Sequence, residues 1–202
     1  MSDIQLYGTI AASALIIILP VILIIRYLRK TAAKRSIAKT IDSISRFSIH
    51  QAAIPDGIDN YLTIDYCFLT SKGIGVLTIQ NYPGLLFGGD TIDHWTQVYQ
   101  HKSYKFENPL RFNDACVSAI KQILPGIEVA GRVVFSNAGE FAKGQPKGVS
   151  MLNQLENDLG DFIDSNEPSD QLKEQWRHLE ALAWSGATDG RTVSTKIDPK
   201  TA

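Results

Sequence analysis

The chain has 202 residues, a formal net charge of −1 at pH 7, two cysteines and four histidines. A charge this close to zero gives no overall indication of a polyanionic partner. Cys67 and Cys116 lack metal-ligand spacing and the histidines are scattered, which argues against a zinc enzyme or a disulfide scaffold. The length allows one domain of ordinary size in addition to an N-terminal segment.

The N-terminal segment is dominated by residues 6–25, twenty positions without a charged side chain. At about 1.5 Å per residue, a helix of this length can cross the roughly 30 Å hydrocarbon core of a bilayer. The basic residues follow the run: Arg26, Arg29, Lys30, Lys34, Arg35 and Lys39. A cleavable signal peptide places its positive charge first. We therefore expect a single-pass protein of the cell inner (plasma) membrane, with residues 1–5 outside and the C-terminal domain in the cytoplasm.

The chain after the apolar run divides into four predicted parts. Ile37, Ile41 and Ile44 recur at helical spacing, so a basic juxtamembrane helix is expected directly after the span. The parts are a helix at 26–52, a folded domain at 53–165, a C-terminal helix at 166–184 and a disordered tail at 185–202. The polar, small composition of the tail is the reason for expecting disorder there. The first expected partner is the lipid bilayer, whose anionic head groups attract the basic segment.

Within the domain, hydrophobic periodicity alternates between strand and helix patterns. Strands are predicted at 61–70, 74–82, 85–88, 96–106 and 127–136. A helix is predicted from the N-cap Asn108 and Pro109 to Pro125, and another at 151–163, after a glycine- and lysine-rich loop at 139–148. These elements predict an α+β fold in which a mixed sheet is flanked by helices.

Several short sequence motifs, taken in their order along the chain, resemble those of the NERD (nuclease-related) family over about residues 36–159. They are Ile64-Asp65, the run GIGVLTIQNYPG at 73–84, Phe87-Gly88, Trp95, Asn108-Pro109-Leu110 and a strand ending Val133-Val134-Phe135. The resemblance implies an α/β/α-like core of the restriction-endonuclease type, whose site motif is PD-(D/E)xK. Many NERD proteins also carry an N-terminal membrane span, as this chain is expected to.

The resemblance also implies where the site should lie. Family members hold Mg²⁺ with two carboxylates on adjacent strands, and a lysine two residues after the second acid positions the attacking water. Here the first acid is Asp65, but Thr78 stands at the second acid and Gln80 at the lysine. A family glutamine corresponds to Phe112, and the glutamate of the family's first helix has no clear match, Asp42 being the nearest acid.

A neutral hydroxyl and a neutral amide do not replace a carboxylate and an ammonium group. We therefore expect a degenerate nuclease fold without a metal site or cofactor, which acts as a binding or scaffolding module. One alternative is an active Mg²⁺-dependent nuclease whose second acid has moved to Asp90 or Asp93, although aspartate in a glycine-rich turn is usually turn chemistry. The other alternative is a purely structural module that binds unknown protein partners.

Nucleic acid is a further candidate partner. Lys102 and Lys105 alternate with Tyr104 and Phe106, a mixture found on single-strand-binding surfaces. At strand spacing, the aromatic rings are expected to face the core and the lysines the solvent. Lys143 and Lys147 lie in the predicted loop and could contact phosphate, but no GK[ST] follows to make a nucleotide-binding loop.

Overall fold

The computed structural model describes residues 39–40, 43–45, 47–57, 60–163 and 166–188. The chain divides into two compact units, Met1–Thr40 and Ile41–Ala202, and the fold below is that of the second. The predicted membrane span at 6–25 lies outside the described residues, as do residues 1–5. Among the residues that are described, no helix is long and apolar enough to cross a membrane.

In the described part of the second unit, six strands come first, followed by an α-helix, three more strands and two further α-helices. The strands are β1 (Ser48–Pro55), β2 (Tyr61–Leu69), β3 (Ile74–Gln80), β4 (Gly84–Phe87), β5 (His94–Tyr99), β6 (Lys102–Glu107), β7 (Val129–Phe135), β8 (Gly139–Phe141) and β9 (Val149–Met151). The α-helices are α1 (Pro109–Ile123), α2 (Leu155–Leu159) and α3 (Asp170–Thr188). Short 3₁₀ turns, Leu152–Gln154 and Gly160–Phe162, flank α2. The predicted α+β class is confirmed, but the strands form two sheets instead of one.

The first sheet has the strand order β1–β2–β3–β7–β9, and the second has the order β6–β5–β4–β8. In the first sheet β1, β2 and β3 are antiparallel, whereas β3, β7 and β9 are parallel. The second sheet is antiparallel except that β4 and β8 run in the same direction. The sheets are interleaved in the chain, because β4–β6 precede β7 and β8 precedes β9.

Helix α1 begins where the sequence predicts. The Asn108 side-chain oxygen accepts a hydrogen bond from the Leu110 N–H at 3.0 Å, and Pro109 occupies the first helical turn. The Asn108 amide also donates to the carbonyl of Ile92 at 2.9 Å, which ties the helix start to the loop before β5. Asn108 thus satisfies one of the free N–H groups at the helix start and also holds the neighbouring loop.

Two hydrophobic cores are formed by the described residues of the unit. The first core includes α1, α3 and the first sheet, with Ile54, Cys67, Val76, Cys116, Ile120, Trp176 and Leu179 among its members. The second core joins the two sheets and consists of Leu86, Trp95, Val133, Phe135 and Val149, flanked by Tyr82, Phe106, Leu110, Phe141 and Met151. Strand β7 contributes to both cores, so it links the helix side of the molecule to the second sheet.

Several predicted boundaries differ from the structure. The helix predicted to reach residue 52 ends earlier, because Ser48–Pro55 is strand β1 and pairs with β2 from Ser48↔Phe68 to Pro55↔Tyr61. The single strand predicted at 96–106 is a hairpin, since residues 100–101 form a turn. Residues 185–188, predicted as the start of a disordered tail, belong to α3. Residues 189–202 lie outside the described part of the chain.

Candidate nuclease-related site

Asp65 and Thr78 lie on neighbouring strands at the point where their ladder ends. The β2–β3 pairing runs from Leu69↔Ile74 to Tyr66↔Leu77, and the next step along the same register would place Asp65 opposite Thr78. Instead of continuing the ladder, Asp65 Oδ2 accepts a hydrogen bond from the Ile79 N–H at 2.7 Å. The carboxylate thus replaces a backbone acceptor and holds the two strands together where they separate.

A buried amide occupies the space beside Thr78. Asn113 of α1 donates from Nδ2 to Thr78 Oγ1 at 3.0 Å and lies 3.4 Å from the carbonyl oxygens of Val76 and Arg132. Both side chains are almost completely buried, Thr78 at 4% and Asn113 at 3% exposure. A Cβ atom at Gly131 would lie only 2.3 Å from Asn113 Oδ1, so the amide fits because β7 has glycine there. Thr78, the position that the resemblance assigns to the second acid, is therefore covered by α1.

Asn113 was not predicted as a site residue, although two signals mark it. It falls three and seven residues before Cys116 and Ile120, so a polar amide stands on the apolar stripe of α1. Gly131 is the second signal, because a glycine inside a strand often marks a close approach by another group.

Burial determines the electrostatics around Asp65. Loss of solvent raises the pKa of the Asp65 carboxyl, and the hydrogen bond from the Ile79 N–H opposes that change. Burial, followed by repulsion from the Asp65 charge, raises the pKa of Cys116 to about 12. Burial likewise raises the pKa of the Cys67 thiol, so both cysteines stay protonated at neutral pH. The surroundings of Asp65 therefore disfavour its charged form, which is the form that binds a cation.

Comparison with known proteins places these residues in a family. Residues 29–136, more than half of the chain, match the nuclease-related domain family, NERD. The chain belongs to the NERD family. An uncharacterized protein of Bacillus anthracis is 29% identical over 101 residues, which are 48% of this chain and 47% of that protein. The chain thus spans about half the length of this curated relative. No solved structure matches the chain.

The residues that the family resemblance assigns to the metal site do not fit a Mg²⁺ ion. Magnesium requires hard oxygen ligands in near-octahedral geometry, usually one or two carboxylates. Asp65 offers one carboxyl, one oxygen of which is already hydrogen-bonded, while Thr78 is neutral and covered. Gln80 is a half-buried neutral amide at the end of β3. Within the described residues, no group of three or more His, Cys, Asp or Glu side chains converges.

The candidates for a relocated acid take part in loop structure. Asp90 Oδ1 accepts a hydrogen bond from the Lys147 N–H at 3.0 Å, which connects the loop before β5 to the loop after β8. Asp93 lies 3.4 Å from the Arg111 guanidinium in an exposed ion pair. Both aspartates thus have partners in the loop structure that do not require a metal ion. Phe112, which the resemblance aligns with a family glutamine, is 38% exposed, and Asp42 lies outside the described residues.

The four lysines predicted to contact nucleic acid occupy two separate segments of the chain. Lys102 and Lys105 lie on β6, where the odd spacing of three directs them to opposite faces of the sheet. Lys143 and Lys147 are exposed in the loop between β8 and β9. The prediction that Tyr104 faces the core is wrong, because its side chain is 48% exposed. The hairpin extends beyond the second core. The alternation of side chains along a strand indicates which face a residue lies on, but not whether the core reaches that residue.

Proposed function

We propose that this NERD protein is a membrane-anchored, noncatalytic nuclease-type module that binds nucleic acid without cutting it. The observation that carries the proposal is the hydrogen bond from Asn113 to Thr78. A buried amide and a neutral hydroxyl occupy the place where a cleavage site would hold its second carboxylate. Without that acid and the lysine, neither the cation nor the attacking water has its usual support.

Nucleic acid is the partner class that best fits a domain of nuclease-related ancestry. Binding requires phosphate contacts from lysines and, for unpaired bases, aromatic surfaces, and neither depends on the lost acid. Lys102 of β6 and the exposed lysines of the loop after β8 supply the first kind of contact. A cleavage-deficient relative of a nuclease can therefore keep the affinity of the fold for its former substrate.

The proposed function is tested by measuring binding and cleavage on the same samples. The 202-residue chain, purified in nonionic detergent, is incubated with labelled single- and double-stranded DNA and RNA in EDTA, Mg²⁺ or Mn²⁺. We expect salt-dependent binding that is equal in all three solutions, and intact nucleic acid in each. The absence of the second metal-binding acid should lower the cleavage rate by orders of magnitude, and so should the absence of the lysine. With both groups absent, we expect no cleavage above background.

The Asp65→Ala variant is the matched control in this experiment. Cleavage by the parent that disappears in this variant would establish an active nuclease with a rearranged site and contradict the proposal. Cleavage that persists equally in both identifies a contaminating enzyme. Absence of binding to every nucleic acid at low salt would instead favour the structural, protein-binding alternative.

The membrane anchor rests on residues 6–25 and the basic residues after them. The proposed topology places the domain in the cytoplasm, at the inner face of the plasma membrane. A reporter fused after Ala202 should be active in the cytosol and silent outside it. Neutralising Arg26, Arg29, Lys30, Lys34 and Arg35 should weaken or invert that orientation. An unmodified C-terminus that proves accessible from outside would contradict this part of the proposal.

A further inference from the structure

One face of the β5–β6 hairpin changes from buried to exposed along its length. At the base, Trp95 and Phe106 pair across the strands and pack in the second core. Towards the tip, the same face carries Tyr99, Lys102 and Tyr104. Tyr99 pairs with Lys102, and Tyr104 lies two residues before Phe106, so alternation places all three side chains together. Tyr99 and Tyr104 are 40% and 48% exposed. These three residues form the hairpin face.

Contacts with Pro83 and Gly84 hold the residues of the hairpin face in position. Gly84 has a φ of +91°, and a Cβ atom there would lie 2.4 Å from the Val98 carbonyl oxygen and 3.2 Å from Cδ2 of Tyr99. The backbone of β4 therefore passes directly beside the Tyr99 ring. Gln97, opposite Tyr104, donates from Nε2 to the Pro83 carbonyl at 2.7 Å. A surface whose rings are positioned before binding loses less side-chain entropy when a ligand arrives.

The tip of the hairpin adds polar groups in an unusual backbone conformation. Gln100 and His101 have φ values of 51° and 62°, and both are exposed. Two-residue turns with positive φ at both positions usually contain Asn-Gly, because other side chains are strained there. The Gln100 amide donates to the Tyr99 hydroxyl at 3.4 Å, and the next two residues, His101 and Lys102, carry an imidazole and an ammonium group. This end of the hairpin is therefore rich in groups that donate hydrogen bonds.

An aromatic contact connects the hairpin to the positions of the lost catalytic groups. Tyr82, two residues after Gln80, stacks on Phe106 with ring centroids 4.2 Å apart and an interplanar angle of 20°. Gln80 itself pairs with Phe135, a member of the second core. The stacked rings of Tyr82 and Phe106 therefore lie between Gln80 and the hairpin face.

We propose that the hairpin face binds single-stranded nucleic acid, with bases stacked on Tyr99 and Tyr104 and a phosphate contacted by Lys102. Every base has a π-face, so stacking on exposed rings tolerates any sequence but requires unpaired bases. The positive charge of Lys102 complements the backbone, whereas Lys105 lies on the opposite face of the same strand and outside this interface. The inference rests on the proposed nucleic-acid binding and specifies its substrate class.

The test uses the full chain in nonionic detergent and fluorescence anisotropy with a short oligo(dT) and a duplex of the same length. Tyr104→Ala should weaken oligo(dT) binding by roughly 5- to 150-fold, the range for loss of one base–ring stack. Tyr104→Phe keeps the ring and should bind within about twofold of the parent. Affinity for the duplex should change little in either variant, since its bases are already stacked.

Lys102→Ala and Lys105→Ala form a matched pair, with the same charge change on one strand but on opposite faces. Removing one phosphate contact should reduce the slope of log affinity against log salt by about 0.7 for single strands. We expect that reduction for Lys102→Ala and a clearly smaller one for Lys105→Ala. Equal effects of the two substitutions would show a diffuse charge interaction and overturn the proposal.

Other outcomes separate this inference from the function on which it rests. If oligo(dT) binds the parent and Tyr104→Ala equally, the hairpin face is wrong while nucleic-acid binding stands. If no nucleic acid binds the parent, both fail. If the parent sediments as a dimer and Tyr104→Ala as a monomer, with the oligo(dT) anisotropy unchanged, the hairpin face is a protein contact and the inference is overturned.

Discussion

The chain carrying Thr78→Glu together with Gln80→Lys should be several kcal/mol less stable than the parent without metal, and should recover stability in Mn²⁺. Position 78 is 4% exposed, and a buried charge without a full partner typically costs about 3–5 kcal/mol. The Asn113 amide can donate one hydrogen bond to the new carboxylate, which satisfies it only in part. Asp65 on the neighbouring strand adds a second negative group, so a divalent cation between them would relieve both.

Thermal unfolding with and without Mn²⁺ measures this effect. A cation that binds only the folded state stabilises it by about 2.7 kcal/mol at one hundred times its dissociation constant. Thr78→Gln with Gln80→Lys is the matched control, because it has the same size without the charge, and its unfolding should not respond to Mn²⁺. If the acidic variant is as stable as the parent and equally insensitive to metal, Asp65 and position 78 do not face each other.

Replacing Trp95 by alanine should destabilise the protein by about 3–5 kcal/mol, the usual cost of removing a large buried aromatic side chain. Trp95 is fully buried and its ring is stacked on Phe135, 6.1 Å away, while Phe141 approaches edge-on at 5.8 Å. Its indole N–H donates to the Gly89 carbonyl at 3.1 Å. One side chain thus connects β5 of the second sheet to β7 of the first.

Chemical denaturation of Trp95→Ala checks this expectation. Leu85→Ala is a suitable control, since Leu85 lies on the other face of the second sheet and is 42% exposed. Its effect should stay within about 0.5 kcal/mol, as is usual for surface substitutions. A loss below about 1 kcal/mol for Trp95→Ala would mean that the second core contributes little to holding the sheets together.

The sequence predicted elements whose local signals and tertiary environment agree. Strands β2, β3 and β7 are rich in β-branched and aromatic residues and are buried, and α1 starts at its predicted cap. Strand β1 was missed because Ser48–Pro55 has little strand propensity and forms a strand through its pairing with β2. The hairpin turn was missed because Gln100 and His101 are not the residues that such a turn usually contains.

For the candidate site, motif spacing identified positions but not their surroundings. Asp65 and Thr78 lie on adjacent strands, as the family resemblance implies. The covering of Thr78 depends on Asn113, which is 35 residues away in sequence and is brought close by the packing of α1 on β3. Likewise, the exposure of Tyr104 depends on how far the second core extends along the hairpin. Both features result from packing between distant segments, which strand periodicity does not encode.

The interleaving of the two sheets affects the growing chain during synthesis. A chain emerges from the N-terminus, so the family segment at 29–136 is complete before β8 and β9 exist. At that stage β7 lacks its partner from Val133↔Val149 onward, and β4 lacks its partner at Leu85↔Glu140. Unpaired strand edges invite association with other chains. Both strand edges are paired only after the chain has been synthesised past Met151. The short segment that follows the family match therefore covers the two edges through which nascent chains could associate.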